Sequence, residues 1–170
     1  MRYIFQLALV LFCASASFAQ QPDYPKADFT VGFTLVRIND VGFHENFYGV
    51  TLAPAGNINK NFGIEGDFTY VTKTFLGTRV NALTYMGGPR FTARPKDSKA
   101  QPFVHALFGG THVSGGGFSD NGWAAKLGGG LDIVAGKHVA VRVFQIDYIP
   151  TRISGTTNHN IGATFGVRLF

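Results

Sequence analysis

The chain has 170 residues, enough for one domain, and is rich in glycine (22) and phenylalanine (17) but poor in charged residues (15%). Its net charge of +5 comes without a basic run in which aromatic residues are interleaved, so the composition argues against a nucleic-acid partner. The single cysteine, Cys13, excludes a fold held by intramolecular disulfides.

The first 19 residues have the three parts of a secretory signal peptide. Arg2 supplies a positive charge, residues 4–14 are apolar, and Ser17-Phe18-Ala19 provides a small-x-small cleavage site. The apolar stretch is shorter than the about 20 residues of a spanning helix, which makes a membrane anchor the weaker interpretation. We therefore expect a cleaved signal peptide (1–19), a short extension (20–26) and an exported domain (27–170).

From residue 27 onward, apolar and polar residues alternate with the period of two that is typical of β-strands. No window has the apolar spacing of a helix. The alternation predicts eight strands, at residues 29–35, 48–54, 62–70, 80–94, 102–113, 123–133, 139–150 and 160–169. In the fifth strand both faces are apolar, so its phase stays open. The chain is predicted to be all-β.

The seventh strand breaks the alternation, because Arg142 falls in one phase while Gln145 and Asp147 fall in the other. A regular strand would turn either the cation or the anion toward the apolar face. A β-bulge near Val143-Phe144 would bring all three polar residues to one side.

Eight strands are the number found in the smallest transmembrane barrels. Short connections at 59–61, 95–101 and 136–138 alternate with longer ones at 38–46, 71–79, 113–122 and 150–158, as expected for an eight-stranded antiparallel up-and-down transmembrane β-barrel. Aromatic residues near the strand ends suit the lipid interface: Tyr48, Tyr70, Trp123 and Tyr148 toward the longer connections, and Phe62 and Phe91 toward the shorter ones.

Charged residues within the predicted strands balance, and all fall on the polar face. They are Glu65, Asp67, Asp132 and Asp147 against Arg90, Lys126, Arg142 and Arg168. A water-facing surface would carry many more Lys and Glu, so we expect these eight residues to form a charge network in an enclosed lumen, where buried ions must be paired. Such a lumen would be plugged and leave at most a narrow pore. Alternatively, some of the eight lie at the rims and are solvated.

Three stretches, "GIEGDF", "GGPRFTARPKDSKAQPFVHALFGGTHVS" and "KLGGGLDIVAGKHVAVRVFQIDYIPTR", resemble the small bacterial outer-membrane β-barrel family, porin-like and similar to the OmpA-type transmembrane domain. The resemblance covers about residues 27–170. It implies residence in the bacterial outer membrane, contact with its lipid and lipopolysaccharide, and insertion by the barrel-assembly machinery. It also implies that a terminal aromatic residue, here Phe170, is the assembly signal. Many members have another aromatic residue where Arg168 stands.

Two other classes of protein stay open. A lipid-modifying outer-membrane enzyme would need a nucleophile or base at the outer rim, for which His159 with Ser154 and Asp147, or His112 with Ser114, are candidates. A soluble lipocalin-like carrier would turn its apolar face inward, around a ligand.

Histidine and serine are ordinary residues of hydrated loops, so we expect no catalytic residue, no cofactor and no metal site. His105 is expected to be a hydrogen-bonding residue of the barrel wall. The favoured function is that of a non-catalytic, monomeric outer-membrane barrel with a structural or surface-interaction role.

Overall fold

Eight antiparallel strands follow one another around a closed barrel, and β1 pairs with β8 to complete it. The computed structural model describes residues 24–40, 43–75 and 77–170, so the expected signal peptide lies outside the described residues. The strands are β1 (Ala27–Asp40), β2 (Phe43–Asn57), β3 (Phe62–Phe75), β4 (Thr78–Thr92), β5 (Ala100–Gly115), β6 (Phe118–Val134), β7 (Val139–Ile153) and β8 (Thr156–Leu169). Within the described residues no helix has the length and hydropathy of a membrane span. The all-β barrel predicted from the alternation is confirmed.

Alternation gives the barrel an apolar outer face and a polar inner face. Along β3, Phe68 and Tyr70 are exposed outside, whereas Asp67 is fully buried inside. In β5, whose phase the sequence left open, Phe108 points outward and His105 inward. A soluble ligand carrier would have the opposite arrangement.

The sequence prediction was wrong about the connections at one end of the barrel. The stretches expected to be long loops are largely strand, and each pair of strands is joined there by two residues. Gly116 and Gly117 have φ angles of 58° and 85°, and Ser154 and Gly155 have φ angles of 49° and 84°. Two successive positive φ angles are typical of a type I′ turn, whose twist matches that of the paired strands. We call this end the hairpin end.

The opposite end, where β1 begins and β8 ends, is called the terminal end. Its connections, at residues 58–61, 93–99 and 135–138, are longer than those at the hairpin end, the reverse of what was expected. The backbone N–H groups of Asn61 and Phe62 both donate to Asn59 Oδ1 at 2.9 Å. The N–H of Phe170 donates to the carbonyl of His138 at 3.0 Å. These bonds stabilise the connections around the mouth of the barrel at the terminal end.

The bulge predicted in the seventh strand is confirmed. Arg142 pairs with Gly166 of β8 and Gln145 with Thr164, so Val143 and Phe144 together oppose one residue. Both remain exposed on the outer face, while Arg142, Gln145 and Asp147 are each only 1% exposed. The extra residue therefore brings all three polar side chains of β7 into the lumen.

Candidate functional site

Charged and amide side chains form a connected row across the interior of the barrel. Arg90 donates through Nη1 and Nη2 to the two carboxylate oxygens of Asp28, at 2.9 and 2.5 Å, and through Nη1 to Glu65 at 3.0 Å. The two ring nitrogens of His105 lie 2.8 Å from Glu65 Oε1 and 2.9 Å from Asp147 Oδ1. All five side chains are buried. This first half of the row spans strands β1, β4, β3, β5 and β7.

The row continues through Gln145, whose Nε2 donates to Asp147 Oδ2 at 2.7 Å and whose Oε1 accepts from Arg142 at 2.6 Å. Arg142 also donates to both oxygens of Asp132, at 2.9 and 3.2 Å, and Arg168 donates to Asp132 Oδ2 at 2.9 Å. We call the whole row the lumen network: Asp28, Arg90, Glu65, His105, Asp147, Gln145, Arg142, Asp132 and Arg168. Because seven of the eight strands contribute to it, the network joins most of the wall across the interior.

His105 has a carboxylate on each ring nitrogen. Ionised carboxylates only accept hydrogen bonds, so both ring nitrogens must donate. The geometry therefore assigns His105 as the protonated imidazolium. With His105 positive, the lumen network holds four cations against four carboxylates. A buried network of this kind is stable only when its charges compensate.

A second polar group lies beside the lumen network and centres on Lys126. Lys126 Nζ lies 2.7 Å from Asp67 Oδ1 and 3.3 Å from Thr69 Oγ1. Thr69 also donates to Asp67 at 2.8 Å. From Thr69 a row of hydroxyl contacts runs along the inner wall through Thr51 and Thr34 to Thr164, at 2.8, 2.6 and 2.9 Å. This threonine row connects the buried ion pair to strands β2, β1 and β8.

Apolar side chains fill the space that the ions leave. The ring of Phe103 lies 4.2 Å from the guanidinium carbon of Arg142, within reach of a cation–π interaction. Met86, Leu107 and Ala124 form a buried cluster. A second buried cluster of Val36, Val71, Ala82 and Ile149 lines a cavity of about 160 Å³, together with Lys126 and several threonine and asparagine side chains. Apolar clusters and a small cavity thus lie beside the ions on the inner face.

The structure places all eight charged residues of the sequence analysis on the inner face, each at 1% exposure or less. None lies at a solvated rim. Sequence reasoning missed two further buried ionic residues, Asp28 and Arg94. It expected His105 as a hydrogen-bonding residue of the barrel wall, which the structure bears out, but not its place between two carboxylates. Asp28 and Arg94 lie at or just beyond strand ends, where alternation gives little signal. His105 lies in β5, whose two faces are both apolar in sequence.

The six aromatic residues expected at the lipid interface lie on the outer face. Four of them, Tyr48, Tyr70, Trp123 and Tyr148, stand where the outer face changes from apolar to polar toward the hairpin end. Tyr70, for example, donates from its hydroxyl to Asn81 at 2.9 Å. Phe62 and Phe91 are register partners near the terminal end. Phe170 follows β8 at that end, with the guanidinium carbon of Arg168 5.1 Å from its ring centre.

The candidate catalytic groups are not brought together. Asp147 is buried in the lumen beside His105 and Gln145, whereas His159 is exposed and stacks on Tyr148, whose hydroxyl it contacts. Ser154 instead contacts Asp120. His112, the other candidate, contacts Asn121 at 2.8 Å. No Ser-His-Asp arrangement forms from the residues proposed for it.

The comparisons with known proteins agree with this architecture. The family model described as outer membrane protein beta-barrel domain matches residues 5–168. Among solved structures, the chain is similar to Neisserial surface protein A (12% identity, TM-score 0.70, covering 85% of this chain and 97% of that one). It is also similar to Ail, the attachment invasion locus protein of Yersinia pestis (16%, 0.53, 84% and 97%), and to OprG from Pseudomonas aeruginosa (12%, 0.51, 86% and 96%). No curated protein matches the sequence significantly.

The family match extends over almost the whole chain and shows the family. The similarities to solved structures, at 12–16% identity, show only a shared fold. An apolar outer wall around a polar interior is also what a barrel in lipid requires, since closure leaves no unpaired strand edge. The protein is an integral barrel of the bacterial outer membrane and belongs to the outer membrane protein beta-barrel domain family.

Proposed function

We propose that the protein is a non-catalytic outer-membrane barrel whose lumen is closed and which acts through its outer surface, in a structural or surface-interaction role. The lumen network is the observation that carries this proposal. Its long side chains, Arg90, Arg142 and Arg168, are each 1% exposed and extend across the interior instead of lining an open passage. This arrangement supports a lumen without the wide aqueous path that a porin needs.

The energetics of buried ions favour a lumen that stays closed. A solute could pass only if the paired groups separated, and separating a buried pair leaves uncompensated charges at a cost of about 3–5 kcal/mol. Because each ion of the lumen network touches two or more partners, several contacts would have to open together. The network thus supports a role in joining the wall rather than in conducting solutes.

We propose that the hairpin end faces the cell exterior and the terminal end faces the periplasm. The polar extensions of the strands beyond Tyr48, Tyr70, Trp123 and Tyr148 support this orientation, because such barrels project farther from the membrane on the extracellular side. Here strands make the projection, while the connections that join them are short. Arg37, Arg79 and Arg152 are exposed in these extensions. Their charges suit the anionic headgroups of lipopolysaccharide. In this orientation Phe170 lies at the periplasmic rim, where the assembly machinery would recognise it. We further propose that the barrel functions as a monomer.

Epitope tags test the orientation on intact cells. A tag inserted between Gly116 and Gly117 should bind antibody on untreated cells, whereas a tag inserted after Lys137 should bind it only after the outer membrane has been permeabilised. The reverse pattern would contradict the orientation.

Lipid analysis tests the non-catalytic role. Mass spectra of lipid A and phospholipids should be the same in cells that produce the wild type, the His159→Ala variant or no protein. A lipid conversion that needs His159 would instead establish the barrel as an enzyme.

A further inference from the structure

The mouth of the barrel at the terminal end is strongly basic. A cavity of about 650 Å³ opens there between residues 93–99, residues 135–138 and the end of β8. Its charged lining consists of six cations, Lys60, Arg94, Lys96, Lys99, Lys137 and Arg168. Among the described residues no aspartate or glutamate side chain lines it, although Phe170, the last residue of the sequence, does; Asp97, on the same connection, is exposed to solvent.

Two of these cations are buried and have a donor to spare. Arg94 is 6% exposed, donates to the carbonyl of Lys60 and to Asn57 Oδ1 (3.2 Å), and leaves its Nε unpartnered. Arg168 is 1% exposed and donates to Asp132 and Gln101, but its Nε is also unpartnered. Buried donors in folded proteins are nearly always satisfied. An unpartnered Nε on each of two arginines that line one cavity supports a missing acceptor there, although the Nε of Arg90 in the lumen network is unpartnered as well.

Arg94 is also the buried cation that has no buried carboxylate to balance it. The lumen network is balanced within itself, and Lys126 is balanced by Asp67. Arg94 takes part in no ion pair of the described residues, and both of its acceptors are neutral. Burial, together with the nearby charges of Arg168 and Arg90, lowers the pKa of Arg94 to about 10. An uncompensated buried guanidinium is costly, and a bound anion would offset that cost.

We propose that this mouth binds a phosphate-bearing ligand, held by the guanidinium groups of Arg94 and Arg168 and surrounded by the four lysines. Planar guanidinium groups match the oxygens of phosphate, and lysines add charge without fixed geometry. Six cations around one cavity favour a polyvalent anion over a single carboxylate. The volume lies within the range of about 300–1,000 Å³ for small-molecule sites. Such a ligand is either a soluble phosphate compound or the phosphate headgroup of an anionic lipid.

Inorganic pyrophosphate is a suitable probe for the purified, folded protein in zwitterionic micelles at low salt. We expect saturable binding by calorimetry. The Arg94→Gln variant should weaken binding by about tenfold or more, because charge-assisted hydrogen bonds are lost. In case Arg94→Gln does not fold, the double variant Lys96→Gln/Lys137→Gln changes only exposed groups and should weaken binding several-fold. Lys73→Gln, at a lysine that pairs with Glu45 near the hairpin end and lies outside the mouth, is the matched control and should bind like the wild type.

Absence of saturable binding to the wild type would overturn the proposal, as would unchanged affinity in both folded mouth variants. Nanodiscs of phosphatidylcholine with and without phosphatidylglycerol separate the two sources of phosphate. If phosphatidylglycerol weakens pyrophosphate binding, the mouth holds lipid headgroups; if it does not, the ligand is soluble. The proposed function decides only on which side of the membrane the ligand is found. Binding by the purified protein does not depend on the orientation of the barrel or on whether its lumen is closed.

Discussion

Asp132 is a buried carboxylate that two guanidinium groups share. It is fully buried and accepts hydrogen bonds from Arg142 and Arg168 through both carboxylate oxygens. A carboxylate that neutralises two guanidinium groups at once cannot be lost without leaving both uncompensated. Its contribution to stability is therefore larger than that of a surface ion pair, which is about 0–1 kcal/mol.

The Asp132→Asn variant keeps the volume of the side chain but removes its charge. We expect the free energy of unfolding to fall by about 3–5 kcal/mol, because two buried cations lose their anion. Denaturant titration of the protein in lipid vesicles, followed by the fluorescence of Trp123, the one tryptophan of the sequence, measures this change. Asp97→Asn, on an exposed connection, is the control and should change stability by less than about 0.5 kcal/mol. Equal effects of the two variants would contradict a structural role for the network.

Two buried threonines of β1 provide a matched pair for the threonine row. Thr34 contacts Thr51 and Thr164, whereas the hydroxyl of Thr30 has no partner among the described residues. Valine has the same shape as threonine without the hydroxyl. Thr34→Val should therefore cost about 1–3 kcal/mol in the same titration, because partners are left unsatisfied, while Thr30→Val should be neutral or stabilising. A larger loss for Thr30→Val would show that the hydroxyl contacts have been assigned wrongly.

At the scale of the strands, the bulge in β7 allows one segment to serve both faces of the wall. Val143 and Phe144 add to the apolar exterior while Arg142 and Gln145 both reach the lumen network. Without the bulge, either Arg142 or both Gln145 and Asp147 would face lipid, and an arginine there costs about 2–4 kcal/mol near the middle of the membrane. The bulge is therefore a consequence of where the charges must lie.

Deletions within β7 test this explanation. Deletion of Val143 restores regular pairing with all three polar residues still inward, so the barrel should keep its folded, heat-modifiable migration in gels. Without Ile146, a regular strand would turn Phe144 inward and Gln145 outward, whereas a retained bulge would turn Asp147 outward. Deletion of Ile146 should therefore reduce the folded fraction clearly. The explanation fails if the deletion of Ile146 is tolerated better than that of Val143.

Period-two alternation was enough to predict the eight strands, the closed barrel and the bulge, because burial on one face alone fixes the phase of a strand. Alternation could not show where the strands end at the hairpin end. There the outer face turns polar while the ladder continues, and residues such as Asn121 and Asn158 look like loop residues in sequence. Gly116-Gly117 and Ser154-Gly155 are the turn signals that would have corrected the ends. Which charges pair depends on register and on the width of the lumen, and neither can be read from one sequence.

At the scale of the whole molecule, the wall is longer than a membrane requires. The strands have 14–17 residues, against the about 9–11 that a tilted span needs. The excess lies mainly beyond the aromatic border at the hairpin end. The barrel thus combines an apolar belt, a polar collar on one side of it and a basic mouth on the other, with the lumen network inside.

The central claim is that the lumen network closes this barrel. Conductance across a planar lipid bilayer tests it most directly, with the purified wild type reconstituted beside a trimeric porin as a positive control. We predict no stable channels under conditions in which the porin conducts. Large, long-lived channels formed by the folded wild type would contradict a closed lumen.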